Sequence, residues 1–397
     1  MNILVLNSGS SSLKYQLFSM PEEQVVCSGM AERIGLENSV LVHRYKDQIV
    51  ESNTLIPDHK SALEHIVHLL IGYEHGVIAN IEDLEAVGHR VVHGGHDFKD
   101  TVEVNPQVKA KIKELIQLAP LHNPSNLEGI EVAESVFPNA RQVAVFDTAF
   151  HQSIPKRAYT YAIPKELLDQ HQIRLYGFHG TSHKYVSEQA NTFLQLQQSK
   201  IISLHLGNGC SITAVMDGKS IDHSLGFSPV NGLVMGTRSG DIDHSIIFYL
   251  VNTLNYQLED VNKMLQKESG LLGLTGFSDL REIESQAQNG DPSCQLAIDI
   301  MVYRIKKYIG AYTAAMNGLD CLVFTAGIGE NSTTIRKLVC TNMEIFGIEL
   351  DEQKNALRSD NLQEISTNSS KVKVLVIPTN EELEIARQTF RLCQEMA

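Results

Sequence analysis

The chain has 397 residues, more than one hydrophobic core usually organises, so two domains are the expectation. Its net charge of -14 argues against a nucleic-acid groove or an anionic membrane surface as the main partner. Six scattered cysteines without a C-x-x-C pair suit free thiols in a reducing compartment, not a disulfide framework or a zinc site.

In chain order, residues 2–6 read as a buried strand on the apolar run Ile3-Leu4-Val5-Leu6, and it leads directly into Asn-Ser-Gly-Ser-Ser-Ser-Leu-Lys at 7–14. Small residues there let backbone N–H groups approach a polyanion. No P-loop string occurs, and the alternation of Leu13, Tyr15 and Leu17 predicts a second strand, hence a phosphate-gripping hairpin. A third strand is expected over 24–30. Helical spacing follows over 62–70, 108–118 and 127–136, with strands over 86–92 and 142–146. Strands at 200–205 and 211–216 then repeat the opening unit, with Leu6 matching Leu204 and Gly9 matching Gly207. Asp291-Pro292 is an N-cap followed by an N1 proline, and Asn317-Gly318 is a stop, so one long helix is predicted between them. Strands over 321–325 and 372–377 and a helix over 381–395 complete an α/β chain. No basic leader precedes the first strand and no apolar stretch matches a bilayer, so the expectation is a cytoplasmic protein. Two phosphate hairpins, one per half, resemble the actin, sugar-kinase and heat-shock ATPase superfamily, in which a nucleotide lies between two duplicated lobes.

Several residues can carry chemistry. Arg90 lies in a buried-looking strand that ends at Gly94-Gly95, and Arg238 is framed by glycines and hydroxyl residues. Paired arginines suit an anionic transferring group, while the alternatives are a structural ion pair for Arg90 alone and an exposed loop arginine for Arg238 alone. His179, in Phe-His-Gly-Thr-Ser-His, lacks a zinc-site partner set and reads as a donor to a substrate oxygen or a helix-entry residue. His89, His93 and His96 read as structural, and His122 stands at a helix entry. Asp147 ends a strand, either as a cap or as an orienting carboxylate. Thr379 and Glu382 have capping-box spacing, which leaves Glu381 for magnesium together with Asn7.

These motifs, with His-Arg-Val-Val-His-Gly-Gly at 89–95, Leu-His-Asn-Pro at 121–124, Phe-Asp-Thr-Ala-Phe-His at 146–151, His-Leu-Gly-Asn-Gly at 205–209, Met-Gly-Thr-Arg-Ser-Gly-Asp at 235–241, Gly-Ile-Gly-Glu-Asn at 327–331 and Thr-Asn-Glu-Glu at 379–382, resemble the acetokinase family in order and over essentially the whole chain. The resemblance implies two actin-like lobes, residues 1–147 with 382–397 on the acyl and phosphate side and 148–381 on the nucleotide side. It implies reversible in-line transfer from ATP to acetate, with propionate or another short carboxylate as the alternative acceptor. A sugar kinase would need a base for a hydroxyl, and a heat-shock-type protein would need a separate peptide module. By the same resemblance, magnesium, or manganese in its place, would sit at Asn7 and Glu381. Lys14, His205, Leu206, Gly207, Asn208, Gly209, Asp279, Leu280, Arg281, Gly327, Ile328, Gly329, Glu330 and Asn331 would contact ATP or ADP. Arg90 would hold the acyl carboxylate, with Val92, Leu121, His122, Phe178 and Pro229 around it. Asp147, His179 and Arg238 would serve the transfer, and the protein would be a homodimer.

Overall fold

The computed structural model describes residues 1–72 and 76–396, which divide into two compact units. Unit 1 comprises Met1–Phe150 and Asn380–Ala397, and unit 2 comprises His151–Thr379.

Unit 1 is built on an eight-stranded sheet. Its strands are β1 (Asn2–Ser8), β2 (Ser12–Ser19), β3 (Gln24–Glu32), β4 (Val40–Tyr45), β5 (Gln48–Asn53), β6 (Leu84–Val91), β7 (Val102–Glu103) and β8 (Arg141–Phe146), in the order β5-β4-β3-β2-β1-β6-β8-β7. The opening hairpin pairs Asn7 with Lys14 and closes through Gly9 N–H to Ser12 C=O at 2.8 Å. β1 then runs parallel to β6, and β6 parallel to β8, which sets Arg90 beside Val145 in the register. The helix Glu381–Glu395 packs on β1, β6 and β8. Gly88 makes this approach close: a Cβ there would lie 2.5 Å from Thr389 Oγ1 and 2.9 Å from Ile385 Cγ2. The helix Asn123–Val136 packs on the same central strands.

Unit 2 carries a six-stranded sheet of β9 (Lys200–Leu206), β10 (Cys210–Met216), β11 (Lys219–His223), β12 (Cys321–Thr325), β13 (Gln363–Glu364) and β14 (Lys373–Val376), in the order β11-β10-β9-β12-β14-β13. The five strands β3-β2-β1-β6-β8 recur as β11-β10-β9-β12-β14 with the same pattern of antiparallel and parallel pairs. The duplication read from the two Gly/Ser turns therefore extends through a five-stranded core, the actin-like ATPase arrangement. The long helix forms over Pro292–Met316, with the Asp291 side chain accepting from the N–H groups of Ser293 and Cys294, and Asn317 ending it in the left-handed region.

The last helix departs from the expected cap. Asn380 is its N-cap and accepts from Leu383 N–H at 3.0 Å. Thr379 instead shares a hydrogen bond with Ser182, and Glu382 meets Lys14 Nζ at 2.7 Å, so the Thr379–Glu382 box does not form. The helix spans the expected residues, but Asn380 caps it in place of Thr379, and Glu382 is left to meet the hairpin.

Candidate active site

In unit 1 the site grows from three strand ends. β8 delivers Asp147, whose N–H donates to Val91 C=O at 3.0 Å, and β6 delivers Arg90 from the neighbouring strand. The guanidinium closes on the Asp147 carboxylate, with Nη2 to Oδ2 at 2.7 Å and Nε to both oxygens at 3.1 and 3.2 Å. Nη1 of the same group faces Glu381 Oε2 at 3.7 Å. Burial weakens the Arg90 proton's hold, but Asp147, Glu381 and Glu382 more than offset this and its pKa rises. Glu381 is pushed up by burial first, then by Asp147 and Glu382, against the pull of Arg90 and Lys14. Three carboxylates thus crowd two side-chain cations, an imbalance that a divalent cation would relieve. Asn7, at the end of β1 opposite Lys14, adds an amide oxygen. Among the described residues no cluster of three His, Cys, Asp or Glu could hold a metal by itself. A magnesium ion at Asn7 and Glu381 therefore fits only in its usual manner, with waters and phosphate oxygens as further ligands.

Two asparagines that the sequence reading did not assign fix this region. Asn126 accepts from Val92 N–H at 3.0 Å and donates to Ser8 C=O at 2.9 Å, tying the hairpin to the strand that carries Arg90. Asn123 accepts from His93 N–H and donates to His93 C=O, at 3.1 and 3.0 Å. Their i, i+3 spacing just after His122, with Pro124 between them, was the available signal. Val92, two residues after Arg90, is half-buried, while Leu121 and His122 are exposed at the helix entry. His89 is buried and bonded to Gln142, as expected of a structural histidine.

Unit 2 supplies a cavity of about 760 Å³. Gly207 and Asn208 of the second hairpin turn form one wall, and Asp279, Leu280, Arg281, Gly327, Ile328 and Asn331 others. A Cβ on Gly327 would meet no atom within 4 Å, so that backbone lies bare to the open space. Asp279 caps the helix Leu280–Gln288 and grips Arg281, whose side chain holds the carboxyl down to about 2. Not every expected ATP contact lines this cavity. Leu206 is fully buried under the turn. Glu330 accepts from Thr379 N–H at 3.0 Å, and Gly329 C=O accepts from Arg336 at 3.0 Å, so both serve to hold the backbone in place.

At the other edge of the turn, His179 and Arg238 converge. A Cβ on Gly209 would lie 3.6 Å from Arg238 Nη1 and 3.7 Å from His179 Nε2, so the space over Gly209 is flanked by both. Arg238 is steadied by Pro229 C=O at 2.9 Å; burial lowers its pKa, and Cys210 opposes the shift. His179 has φ 55°, a left-handed conformation uncommon outside glycine, at the entry to the helix Gly180–Leu194. Its ring stacks on His205, centroids 4.2 Å apart. Phe178 is buried, its N–H donating to His223 and its C=O accepting from His151.

A profile of the acetokinase family matches residues 2–387. The chain belongs to the acetokinase family. It is 58% identical over 394 residues to the acetate kinase of Flavobacterium johnsoniae, covering 99% of this chain and 100% of that one. Among solved structures, the Porphyromonas gingivalis acetate kinase is 46% identical with a TM-score of 0.94, covering 99% of each chain. A propionate kinase from Francisella tularensis is also 46% identical, with a TM-score of 0.91 over 98% of this chain and 99% of that one.

Proposed function

We propose that the protein transfers the γ-phosphoryl group of ATP reversibly to acetate, giving acetyl phosphate and ADP. The observation that carries the transfer chemistry is the convergence of His179 and Arg238 over Gly209, on the turn whose other residues wall the nucleotide-sized cavity. The full-length kinship with acetate kinases supports acetate as acceptor. Catalysis by this set is alignment and charge neutralisation. A carboxylate oxygen of acetate attacks the γ-phosphorus as the bond to the β,γ-bridging oxygen breaks, and ADP leaves with that oxygen. Acetate has no proton to lose at neutral pH, so Asp147 orients Arg90 and is not a base. Arg238 and His179 donate to the phosphoryl oxygens, and Arg90 attracts the acyl carboxylate through the guanidinium edge that faces Glu381. Lys14, steered by Glu382, serves the phosphate tail. When bound at Asn7 and Glu381, magnesium would supply charge neutralisation of the β- and γ-phosphates.

Propionate is the second reading, because an acetate kinase and a propionate kinase stand at equal identity to this chain. Val92, Leu121, Phe178 and Pro229 as acyl-pocket residues belong to this proposal. Hydroxylamine trapping of acyl phosphate with acetate, propionate and butyrate decides the acceptor; equal efficiency on all three removes acetate as the preferred substrate.

A homodimer is part of the same proposal. The helix Ser245–Asn252 exposes Ile246, Phe248 and Tyr249 together, an apolar surface that a second copy would cover. A monomer by sedimentation at micromolar concentration would count against it. The cytoplasm is the proposed compartment, supported by six unbridged buried cysteines.

A further inference from the structure

We infer that Ser203, His183 and Ser211 form a buried directional hydrogen-bond chain that holds His179 in its neutral Nε2–H tautomer, so that His179 meets the phosphoryl group as an uncharged donor. The inference deepens the phosphoryl-transfer reading and rests on it for its catalytic consequence.

The chain of contacts is continuous. Ser203 Oγ lies 2.5 Å from His183 Nδ1, His183 Nε2 lies 2.7 Å from Ser211 Oγ, and Ser211 Oγ lies 2.8 Å from His179 Nδ1. Ser203, His183 and Ser211 are each fully buried. Distances alone permit two directions. In one, Ser203 donates to His183, His183 to Ser211, and Ser211 to His179 Nδ1, which leaves the His179 proton on Nε2. In the other every donor reverses, the His179 proton sits on Nδ1, and Nε2 presents a lone pair to an anion.

Ser203 decides between them. A hydroxyl has one proton, and in the reversed direction Ser203 would accept from His183 and still need an acceptor for its own O–H. Among the described residues His183 is its only side-chain hydrogen-bond partner, so the reversed chain strands a buried O–H donor. The forward chain strands none. His183 cannot escape the choice by protonating, because burial first, and then His151 and His205, keep its pKa well below the usual value. The neighbouring rings are fixed by backbone groups in a compatible way. His151 must donate from Nε2 to Phe178 C=O, and His223 must accept at Nε2 from Phe178 N–H and donate from Nδ1 to Thr213.

The forward chain also resists a second proton on His179. An Nδ1–H there would turn Ser211 round and reverse the chain back to Ser203. His183, Ser203 and Ser211 are therefore positioning residues: they touch no substrate, and the bond at one ring nitrogen sets what the other presents.

The test uses the full chain labelled with 15N-histidine. Long-range 1H–15N correlations near neutral pH report the tautomer of each ring, and His179 is assigned by its loss in H179A. The expected pattern is Nε2–H with a bare Nδ1. Ser211→Ala should mix the tautomers and lower kcat by about 10- to 100-fold, the usual toll of an orienting partner, with the KM for ATP little changed. His183→Gln keeps a donor toward Ser211 and an acceptor toward Ser203, and should retain most of kcat, whereas His183→Leu should behave as Ser211→Ala. The proposal is overturned by an Nδ1–H or doubly protonated His179 in the unmodified protein. It is equally overturned by undiminished kcat in Ser211→Ala, by a loss of kcat without a change of tautomer, or by His183→Gln failing as His183→Leu does while folded. The ring spectra need no turnover, so they stand or fall separately from acetate phosphorylation.

Discussion

Removing Arg90 separates two roles of the same side chain. Its guanidinium pairs with an Asp147 carboxylate that is only 2% exposed, and it also faces Glu381 at 3.7 Å. Arg90→Ala should therefore destabilise unit 1 by about 3–5 kcal/mol, the cost of taking one partner from a buried pair. Its loss from the reacting set should separately lower kcat/KM by about a hundredfold or more. A second change, Asp147→Asn, removes the buried charge and leaves a neutral amide whose imperfect pairing costs about 1–3 kcal/mol. The double variant should thus regain roughly 2 kcal/mol over Arg90→Ala and regain no activity. Urea unfolding followed by circular dichroism gives the stabilities, and ADP release with acetate gives the rates. A double variant no more stable than Arg90→Ala would refute the buried-charge reasoning. Recovered activity in the double variant would refute the role of Arg90 in transfer.

Glu381→Gln should raise the magnesium concentration needed for activity. Because burial raises the Glu381 pKa, its ionised form is a strain on the fold, so the variant should gain stability at neutral pH, and the gain should vanish as pH falls through that raised pKa. Melting curves against pH check this, and an unchanged magnesium dependence would remove Glu381 from the metal site. Glu382→Ala should weaken ATP binding through Lys14 with little loss of stability, whereas Asn380→Ala should cost about 0.5–2 kcal/mol as a lost cap; thermal melts showing the opposite ranking would restore the capping-box reading. Val92→Ala should shift preference from acetate toward propionate, since one misfit methylene is worth about 1–3 kcal/mol; competition between the two acids reads it. Burial lowers His89 and His93 to about 4, so the unfolded chain takes up protons that the folded chain refuses. Their stabilising contribution is full above about 6.5 and falls as pH drops toward 4, so urea midpoints should decline over that window.

Much of the architecture was legible because glycine-rich turns and strand periodicity are local signals. The first hairpin, the repeat at β9 and β10, and the capped helix Pro292–Met316 all appear where spacing placed them. β4 and β5 were missed because β5 is almost wholly exposed, which leaves little apolar alternation to read. The last helix begins at Glu381 as read, but its cap was misassigned because two capping registers overlap in Thr379-Asn380-Glu381-Glu382, and only tertiary partners, Ser182 and Lys14, separate them. Arg90, His179 and Arg238 were visible as polar or charged residues close to glycines, and Asp147 as a carboxylate ending a strand. Their settings were not: the Arg90–Asp147 pair spans two strands, and the Ser203–His183–Ser211 chain spans three elements with no sequence pattern linking them.

The most direct test of the central claim is 31P NMR of the protein with magnesium, ATP and acetate. The account predicts that the γ-phosphate signal moves into an acyl phosphate resonance with ADP formed in equal amount, and that ADP with added acetyl phosphate drives the reaction back. Release of inorganic phosphate and ADP without any acyl phosphate would contradict it.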